Sequence, residues 1–420
     1  MRRTTRAAVF FLAALGAACA PARLTSRTVW RPRELGFDAA HFDSVVRYLG
    51  SQVDSAFPGG VVAVGRRGRL ALLAAVGHYG IDDRRPVEPE TIYDVASLTK
   101  VVGLTTACIL LVDGGKLELD APVQRYLPEF QGPDKDRVTI RHLLTHSSGL
   151  PAWRSLYQEV TTREAALALV DTTPLLWQPG DTSIYSDLGA IVLTQVVERI
   201  TGVGIDQYLD SAVLRPLGMS ATRYLPPPEW RGRIAPTERD TVFRQRMLRG
   251  EVHDENTGRL GGVSGHAGLF SNAVDLARFA TWLLDARAGR LAPGRCPGVT
   301  AGAEGAGCET PGHGPGVSLP SPQPEIVAEF TRRQELVPGS SRALGWDTPS
   351  EGSSAGTKLS AHAFGHTGFT GTSLWFDPER DLFVILLTNR VHPTRANTRI
   401  FAVRRRVADL VVAALAHPER

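Results

Sequence analysis

The chain has 420 residues, 43% hydrophobic and 21% charged, an ordinary balance for one large globular domain or two closely joined ones. Disorder along the whole length is excluded, because there is ample apolar side-chain volume to bury. The formal charge of +4 is no argument for a nucleic-acid partner: three of those charges are Arg2, Arg3 and Arg6, residues 1–18 hold no acid, and removing them leaves +1.

These arginines precede an apolar run over residues 7–18, too short to cross a bilayer as a mature helix but laid out like a secretion signal. We expect residues 1–18 to be a signal peptide, 19–37 a polar leader and 38–420 the folded domain, exported and periplasmic. Cys19 follows Leu15-Gly-Ala-Ala18, which looks like a bacterial lipobox with its leucine displaced by one position. Membrane attachment through lipid on Cys19 is the leading reading, with ordinary cleavage near Ala20 or Ala22 as the alternative. Export would place the other cysteines in an oxidising compartment. Cys296 and Cys308 bracket a Gly/Pro-rich stretch and are placed to close it as a local disulfide, whereas Cys108, among Leu104, Ile109 and Leu111, reads as a buried thiol.

In chain order, Asp38 caps a helix whose Phe42, Val45, Leu49 and Val53 recur at helical spacing, ended by Pro58-Gly-Gly60. Apolar runs at 61–64 and 70–76, separated by Gly65-Arg-Arg-Gly68, predict a hairpin. A polar turn through Asp82 and Asp83 leads to a β-rich run at 92–96, then a helix from Ser97 to about Val112, stopped by Gly114-Gly115. From about 116 to 284 the pattern is largely helical: Thr139 opens a short helix at 140–144, others fall at 188–200 and 205–214, and Asn272 caps one at 276–284. Residues of about 287–324 are dominated by Gly, Pro, Ala and Ser and read as an inserted surface loop.

Strands return at 371–376 and 382–387, and an amphipathic helix at 397–416 closes the chain. Its apolar stripe is Ile400, Val403, Val407, Leu410 and Val411, so Arg404, Arg405 and Arg406, the only dense basic run, are expected on its solvated face. Strands at both ends with helices between predict an α+β fold (an α/β sandwich). Its antiparallel sheet comes from the N- and C-terminal segments and is flanked by helices, a helical region is inserted, and the site lies at the seam.

Ser97 and Lys100 carry the first chemical signal. A serine hydroxyl is a poor nucleophile at neutral pH. Residues i and i+3 share a helical face, so Lys100 can reach the Ser97 oxygen, and a helix N-terminus adds positive potential there. Lysine rather than arginine is needed, since an ammonium can be desolvated to a low pKa and a guanidinium cannot. The chain has only four lysines, Lys100, Lys116, Lys135 and Lys358. Two further segments join it: Tyr185-Ser186-Asp187 at a helix start, and His366-Thr367-Gly368 just before a strand, flanked by Gly365 and Gly371.

Taken in order, Ser-x-x-Lys, Tyr-x-Asp and His-Thr-Gly resemble the three motifs of the serine β-lactamase and penicillin-binding protein superfamily. The resemblance is to the branch of class C β-lactamases, D-alanyl-D-alanine carboxypeptidases and carboxylesterases, from about residue 38 to the C-terminus, with 287–324 unmatched. It implies a β-lactamase/transpeptidase-like fold and an acyl-serine mechanism that needs no cofactor or metal. Ser97 would be the nucleophile and Lys100 the group that depresses its pKa. Tyr185, between two cations and partly phenolate, would be the general base toward Ser97 and later toward water. The backbone N–H groups of Ser97 and Phe369 would form the oxyanion hole, and Asp187, His366, Thr367 and Gly368 would contact substrate.

Two residues depart from the family pattern. Asp187 stands where Asn is usual; when ionised it can only accept hydrogen bonds, and its charge opposes phenolate formation. His366 stands where many penicillin-recognising members have Lys, and it is charged only if its surroundings raise its pKa. Efficient β-lactam hydrolysis is therefore not expected. Gly250-Glu-Val-His-Asp-Glu-Asn256 and stretches at 261–270, 365–373 and 387–393 look like β-lactamase-related proteins associated with muropeptide recycling. That likeness implies a peptidoglycan-derived substrate, a D-amino-acid peptide or a lactyl-type ester or amide. The alternatives are a promiscuous carboxylesterase and a non-catalytic receptor that acylates without turning over.

Other polar residues read as structural. His253, Asp254, Glu255 and His266 lack a metal-binding spacing. His146 is expected to satisfy backbone groups at the end of its short helix. Trp153 and Tyr157 either rim the cleft or pack under a loop, and Gly189 and Gly371 are expected where backbones approach closely.

Overall fold

The computed structural model describes residues 24–29, 32–291 and 318–416. Cys19, Cys296 and Cys308, with the readings attached to them, lie outside the described residues. One antiparallel sheet organises the rest. Its N-terminal strands are β1 (Leu24–Val29), β2 (Gly59–Arg66), β3 (Arg69–Gly80) and β4 (Asp83–Pro86), and its C-terminal strands are β5 (Phe364–Thr367), β6 (Ser373–Asp377) and β7 (Leu382–Thr388). They run in the order β1-β3-β2-β7-β6-β5, with β4 on β3. The two ends of the chain meet where β7 pairs with β2, Ile385 opposite Ala63.

The β2–β3 turn is shorter than expected. Gly65 and Arg66 stay in the ladder after a bulge, leaving Arg67 and Gly68 as the turn, both at positive φ (54° and 70°), the conformation that suits the twist of a two-residue hairpin. At the other end, His366 and Thr367 do not precede a strand but form part of edge strand β5, with Leu374 opposite His366; Gly371 and Thr372 belong to the turn before β6.

The principal helices are α1 (Ala39–Gln52), α2 (Thr106–Asp113), α3 (Ile140–Leu144), α4 (Asp187–Thr201), α5 (Ala273–Arg287), α6 (Pro324–Thr331) and α7 (Ile400–Ala413). Asp38 caps α1 by accepting the Ala40 N–H at 2.9 Å, and Thr139 caps α3 in a reciprocal box with His142. Strand alternation assigns the layers. Val61, Ala63, Phe383, Ile385 and Leu387 face the core shared with α2, α4 and α5, while Val62, Val64, Leu382, Val384 and Leu386 face α1 and α7. Burial on both faces is why β2 and β7 read as continuous apolar runs.

Two further expectations change. Residues 215–272 are mostly not helical: they hold a 3₁₀ turn (Pro228–Arg233), a small ladder of Arg239–Asp240 with Arg246–Met247, and one short helix (Glu255–Arg259). Polar side chains organise this stretch instead, as where the Asp240 carboxylate accepts the N–H groups of Val242, Phe243 and Arg244, each at 2.9 Å. Arg404 is not on the solvated face of α7. It is 4% exposed, while Arg405 and Arg406 are exposed, because it lies four residues after Ile400 and three before Val407, on the buried stripe itself.

Candidate active site

Ser97 sits on a tight bend between a short strand and a helix. Tyr93–Asp94 pairs with Phe270–Ser271, the Val95 N–H donates to Leu269 O at 3.0 Å, and Ala96 is at φ +48°, a left-handed conformation uncommon outside glycine. The Asp94 carboxylate accepts the Ala96 N–H at 2.8 Å and the His253 N–H at 2.6 Å, and so holds the bend. The helix starts after Ser97 and its first stretch, Lys100–Thr105, is a π-turn, a wider coil often found at functional sites.

Lys100 is buried. Its Nζ donates to Ser97 Oγ at 3.1 Å and to His266 O at 2.9 Å, and lies 2.7 Å from Asp187 Oδ1. Burial alone would push this ammonium toward neutrality; Asp187 and Tyr185 together outweigh it, and the pKa ends above the ordinary lysine range. Lys100 is therefore a cation in the resting site and cannot itself take the Ser97 proton. His266 is in turn held by Asp254 and Thr257, each at 3.0 Å from Nε2, and by Ser264 at 2.7 Å from Nδ1.

Tyr185 and Asp187 straddle the N-terminus of α4, where Ser186 is the cap and accepts the Gly189 N–H at 3.1 Å. Two cations do flank the Tyr185 ring: Lys100 Nζ at 4.8 Å and the Arg342 guanidinium carbon at 5.3 Å from its centroid. The expectation of partial phenolate nonetheless fails. Burial raises the phenol above its ordinary value, the pull of Lys100 does not offset it, and Asp187 adds to it. The Tyr185 hydroxyl is buried without a well-formed hydrogen bond, although Ser97 and Lys100 lie near enough to draw its pKa down.

His146 serves this segment rather than its own helix end: its Nδ1 accepts the Ser186 N–H at 3.2 Å and its ring lies 4.7 Å from that of Tyr185. Gly189 has no close neighbour that a side chain would strike, contrary to expectation, whereas a Cβ on Gly371 would lie 2.2 Å from Thr388 Oγ1.

The third motif reaches Ser97 through a turn stitched to the bend. Thr370 Oγ1 donates to Asp94 O at 2.7 Å and Thr372 Oγ1 to Val95 O at 3.0 Å. Gly368 allows this approach, since a Cβ there would meet Val95 O at 2.3 Å. Among the described residues, neither the Ser97 nor the Phe369 N–H donates to an internal acceptor, so two donors on tethered segments remain for an oxyanion. Arg390 Nε binds Phe369 O at 2.8 Å, and Arg404 Nη2 binds Gly368 O at 2.5 Å and Thr372 O at 2.8 Å. Burial draws the Arg404 pKa down, to about 9, leaving it charged at neutral pH.

The sequence pattern of the Beta-lactamase family matches residues 42–408. The chain belongs to this family. A Salmonella agona relative, given the inferred name D-alanyl-D-alanine carboxypeptidase, is 29% identical over 89% of this chain and 88% of its own. Among solved structures, a penicillin-binding protein homologue from Caulobacter crescentus superposes with a TM-score of 0.68 at 19% identity, covering 93% of this chain and all (100%) of that one. EstCE1, described as a hydrolase with promiscuous acyltransferase activity, gives 0.66 at 23% identity, with coverage of 92% and 99%. These neighbours establish the β-lactamase-like α+β fold.

Within the β-lactamase family frame, His366 is the departure that leaves the third motif without a charge. Its Nδ1–H donates to Thr367 O at 2.8 Å, and its ring lies 5.7 Å from that of Tyr185. Burial, reinforced by Lys100 and Arg342, lowers its pKa to about 3, so it is neutral and supplies no cation. The cation present is one that motif reading missed. Arg342 stands in a loop bridged to Asp347, which is itself bridged to Gly365 of β5, and among the described residues its guanidinium has no carboxylate partner. Nothing in its surrounding sequence marks it. Trp153 is 47% exposed beside Ala152, whose carbonyl accepts the Asp187 N–H at 2.9 Å; it rims the site rather than packing under a loop.

Proposed function

We propose that this protein is an exported serine hydrolase that cleaves D-amino-acid amides of peptidoglycan-derived peptides bearing a free carboxylate, through an acyl-serine on Ser97. The observation that carries this reading is Arg342, a half-buried guanidinium lying over the Tyr185 ring with no internal counter-ion among the described residues. An arginine of this kind suits a planar carboxylate through paired N–H donors. Ser97 attacks the amide carbon as the deprotonated form of Tyr185, a minor fraction at neutral pH, takes its proton; the tetrahedral oxyanion is held by the N–H groups of Ser97 and Phe369. Protonated Lys100 stabilises the emerging alkoxide, and Tyr185 returns the proton to the leaving amine. Water then repeats the sequence on the acyl-serine. Thr367, Gly368 and neutral His366 line the substrate's path along β5, and no metal or cofactor enters the scheme. Export and lipid attachment at Cys19 complete the proposal; loss of lipid labelling in Cys19→Ser would support the anchor, and unchanged labelling would remove it.

A carboxylesterase is the second reading, favoured by the neutrality of His366. One comparison separates the two: hydrolysis of a peptide ending in D-Ala-D-Ala, of the same peptide as its C-terminal amide, and of p-nitrophenyl butyrate. The proposal expects the free acid to be preferred over the amide by at least about 10-fold, the size of a lost charged contact, with that preference abolished in Arg342→Gln. Turnover of the ester alone establishes the esterase. Fluorophosphonate labelling of wild type but not Ser97→Ala, read by intact mass, fixes the nucleophile under either reading.

A further inference from the structure

Arg404 has no place in the chemistry above, yet it is a buried arginine on the C-terminal helix with no carboxylate partner among the described residues. Its Nη2 binds Gly368 O at 2.5 Å and Thr372 O at 2.8 Å. Gly368 O and the Phe369 N–H belong to one peptide unit. In a trans peptide the two point in opposite directions across the C–N bond, so a group that fixes the oxygen also fixes where the N–H is aimed. A cation on the oxygen further polarises the amide and strengthens the N–H as a donor.

We propose that Arg404 is a positioning residue of the oxyanion hole: from α7 it holds the Gly368–Phe369 peptide with its carbonyl inward and its N–H turned toward Ser97. A purely architectural role accounts for this poorly. A neutral glutamine or asparagine offers the N–H needed to bind two carbonyls, without the desolvation penalty of an unpaired guanidinium. The neighbouring carbonyl is held the same way, Arg390 Nε on Phe369 O at 2.8 Å, so two cations grip the carbonyls of successive peptides of the turn. The exposed Arg405 next in sequence makes no such contact.

The inference rests on the acyl-serine reading, and its test separates the two. Turnover of p-nitrophenyl butyrate and inhibition by an aryl trifluoromethyl ketone, which forms a tetrahedral oxyanion on an active serine, are measured for wild type, Ser97→Ala, Arg404→Met, Arg404→Gln, Arg404→Lys and Arg405→Ala, with folding checked by circular dichroism. Misaiming one donor, rather than deleting it, is expected to lower kcat by about 10- to 100-fold in Arg404→Met. KM should stay within about twofold, ketone affinity should fall by the same factor as kcat, and Arg405→Ala should match wild type.

If the methionine variant does not fold, the other two Arg404 variants carry the test, because loss of kcat must track loss of ketone affinity across whichever fold. A folded set with both quantities within twofold of wild type overturns the proposal, as does lost turnover with ketone affinity intact. If Ser97→Ala retains turnover, or wild type forms no ketone adduct, the acyl-serine reading itself is overturned and the role of Arg404 with it.

Discussion

Replacing Asp187 with asparagine removes a carboxylate 2.7 Å from the Lys100 ammonium, and electrostatics fixes the direction of the result. Burial and Asp187 both raise the Tyr185 phenol, and Asp187 holds Lys100 above its ordinary range against the effect of burial. Without that charge the Tyr185 phenol loses its proton more readily, so more of the base that takes the Ser97 proton is present at neutral pH. The rising limb of kcat/KM against pH, followed with p-nitrophenyl butyrate, should move down by about one unit or more in Asp187→Asn. An unmoved limb would mean that Tyr185 is not the titrating base. Ser97 and Lys100 were legible in the sequence from their spacing on one helical face, and Tyr185, Asp187 and His366 from the resemblance of their segments to the family's motifs. Arg342 was not, since its position over Tyr185 is made by tertiary bridges through Asp347 and Gly365. Arg404 was misread because a polar residue on an apolar stripe is normally assigned to solvent.

At the scale of elements, the turn between β5 and β6 is the adjustable part of the site. A Cβ at Gly368 would fall 2.1 Å from Thr372 Oγ1 and 2.3 Å from Val95 O. Neither neighbour can give way without loosening the Thr372–Val95 hydrogen bond that tethers the turn to the Ser97 bend. Gly368→Ala should therefore lower kcat by about 100-fold or more, the scale of losing an oxyanion donor, with a stability loss of about 1–3 kcal/mol from overpacking. Steady-state kinetics beside urea unfolding checks both, and a fully active variant would show that the turn is not held at this distance. Capped helices such as α1, α3 and α5 could be read in advance because Asp38, Thr139 and Asn272 are local signals. Residues 215–272 could not, because polar side chains replace periodicity there, locally where Asp240 binds the backbone of 242–244 and at long range where Glu238 accepts the Arg395 N–H.

For the whole molecule, a sheet built from both ends of the chain places the site at a seam, and that seam carries neutral histidines buried beside it. Burial, with Arg342 and Lys100 adding to it, lowers the pKa of His146 well below its ordinary value and that of His366 to about 3. His142 and His392 are lowered as well, chiefly by burial. The unfolded chain protonates its histidines near pH 6.5, while the fold resists until far lower pH. Between those limits the unfolded state binds more protons, so stability rises with pH and is lost progressively as pH falls from about 6.5. Each fully resisting histidine contributes about 1.4 kcal/mol per pH unit within that window. The carboxylates that favour the fold, such as Asp240 and Asp254, are held below the ordinary range and add their losses only under about pH 4. Urea unfolding from pH 7.5 to 4.5 should therefore show a falling free energy, offset in part by Asp171, whose carboxyl burial raises to about 6 so that the fold takes up its proton before the unfolded chain does. His366→Gln should reduce that slope by about one proton, because glutamine has nothing to protonate in either state. Stability that stays level from pH 7 to 5 in wild type would mean that the histidines at the seam take up protons as readily in the fold as in the unfolded chain, and that the site is wetter than its geometry implies.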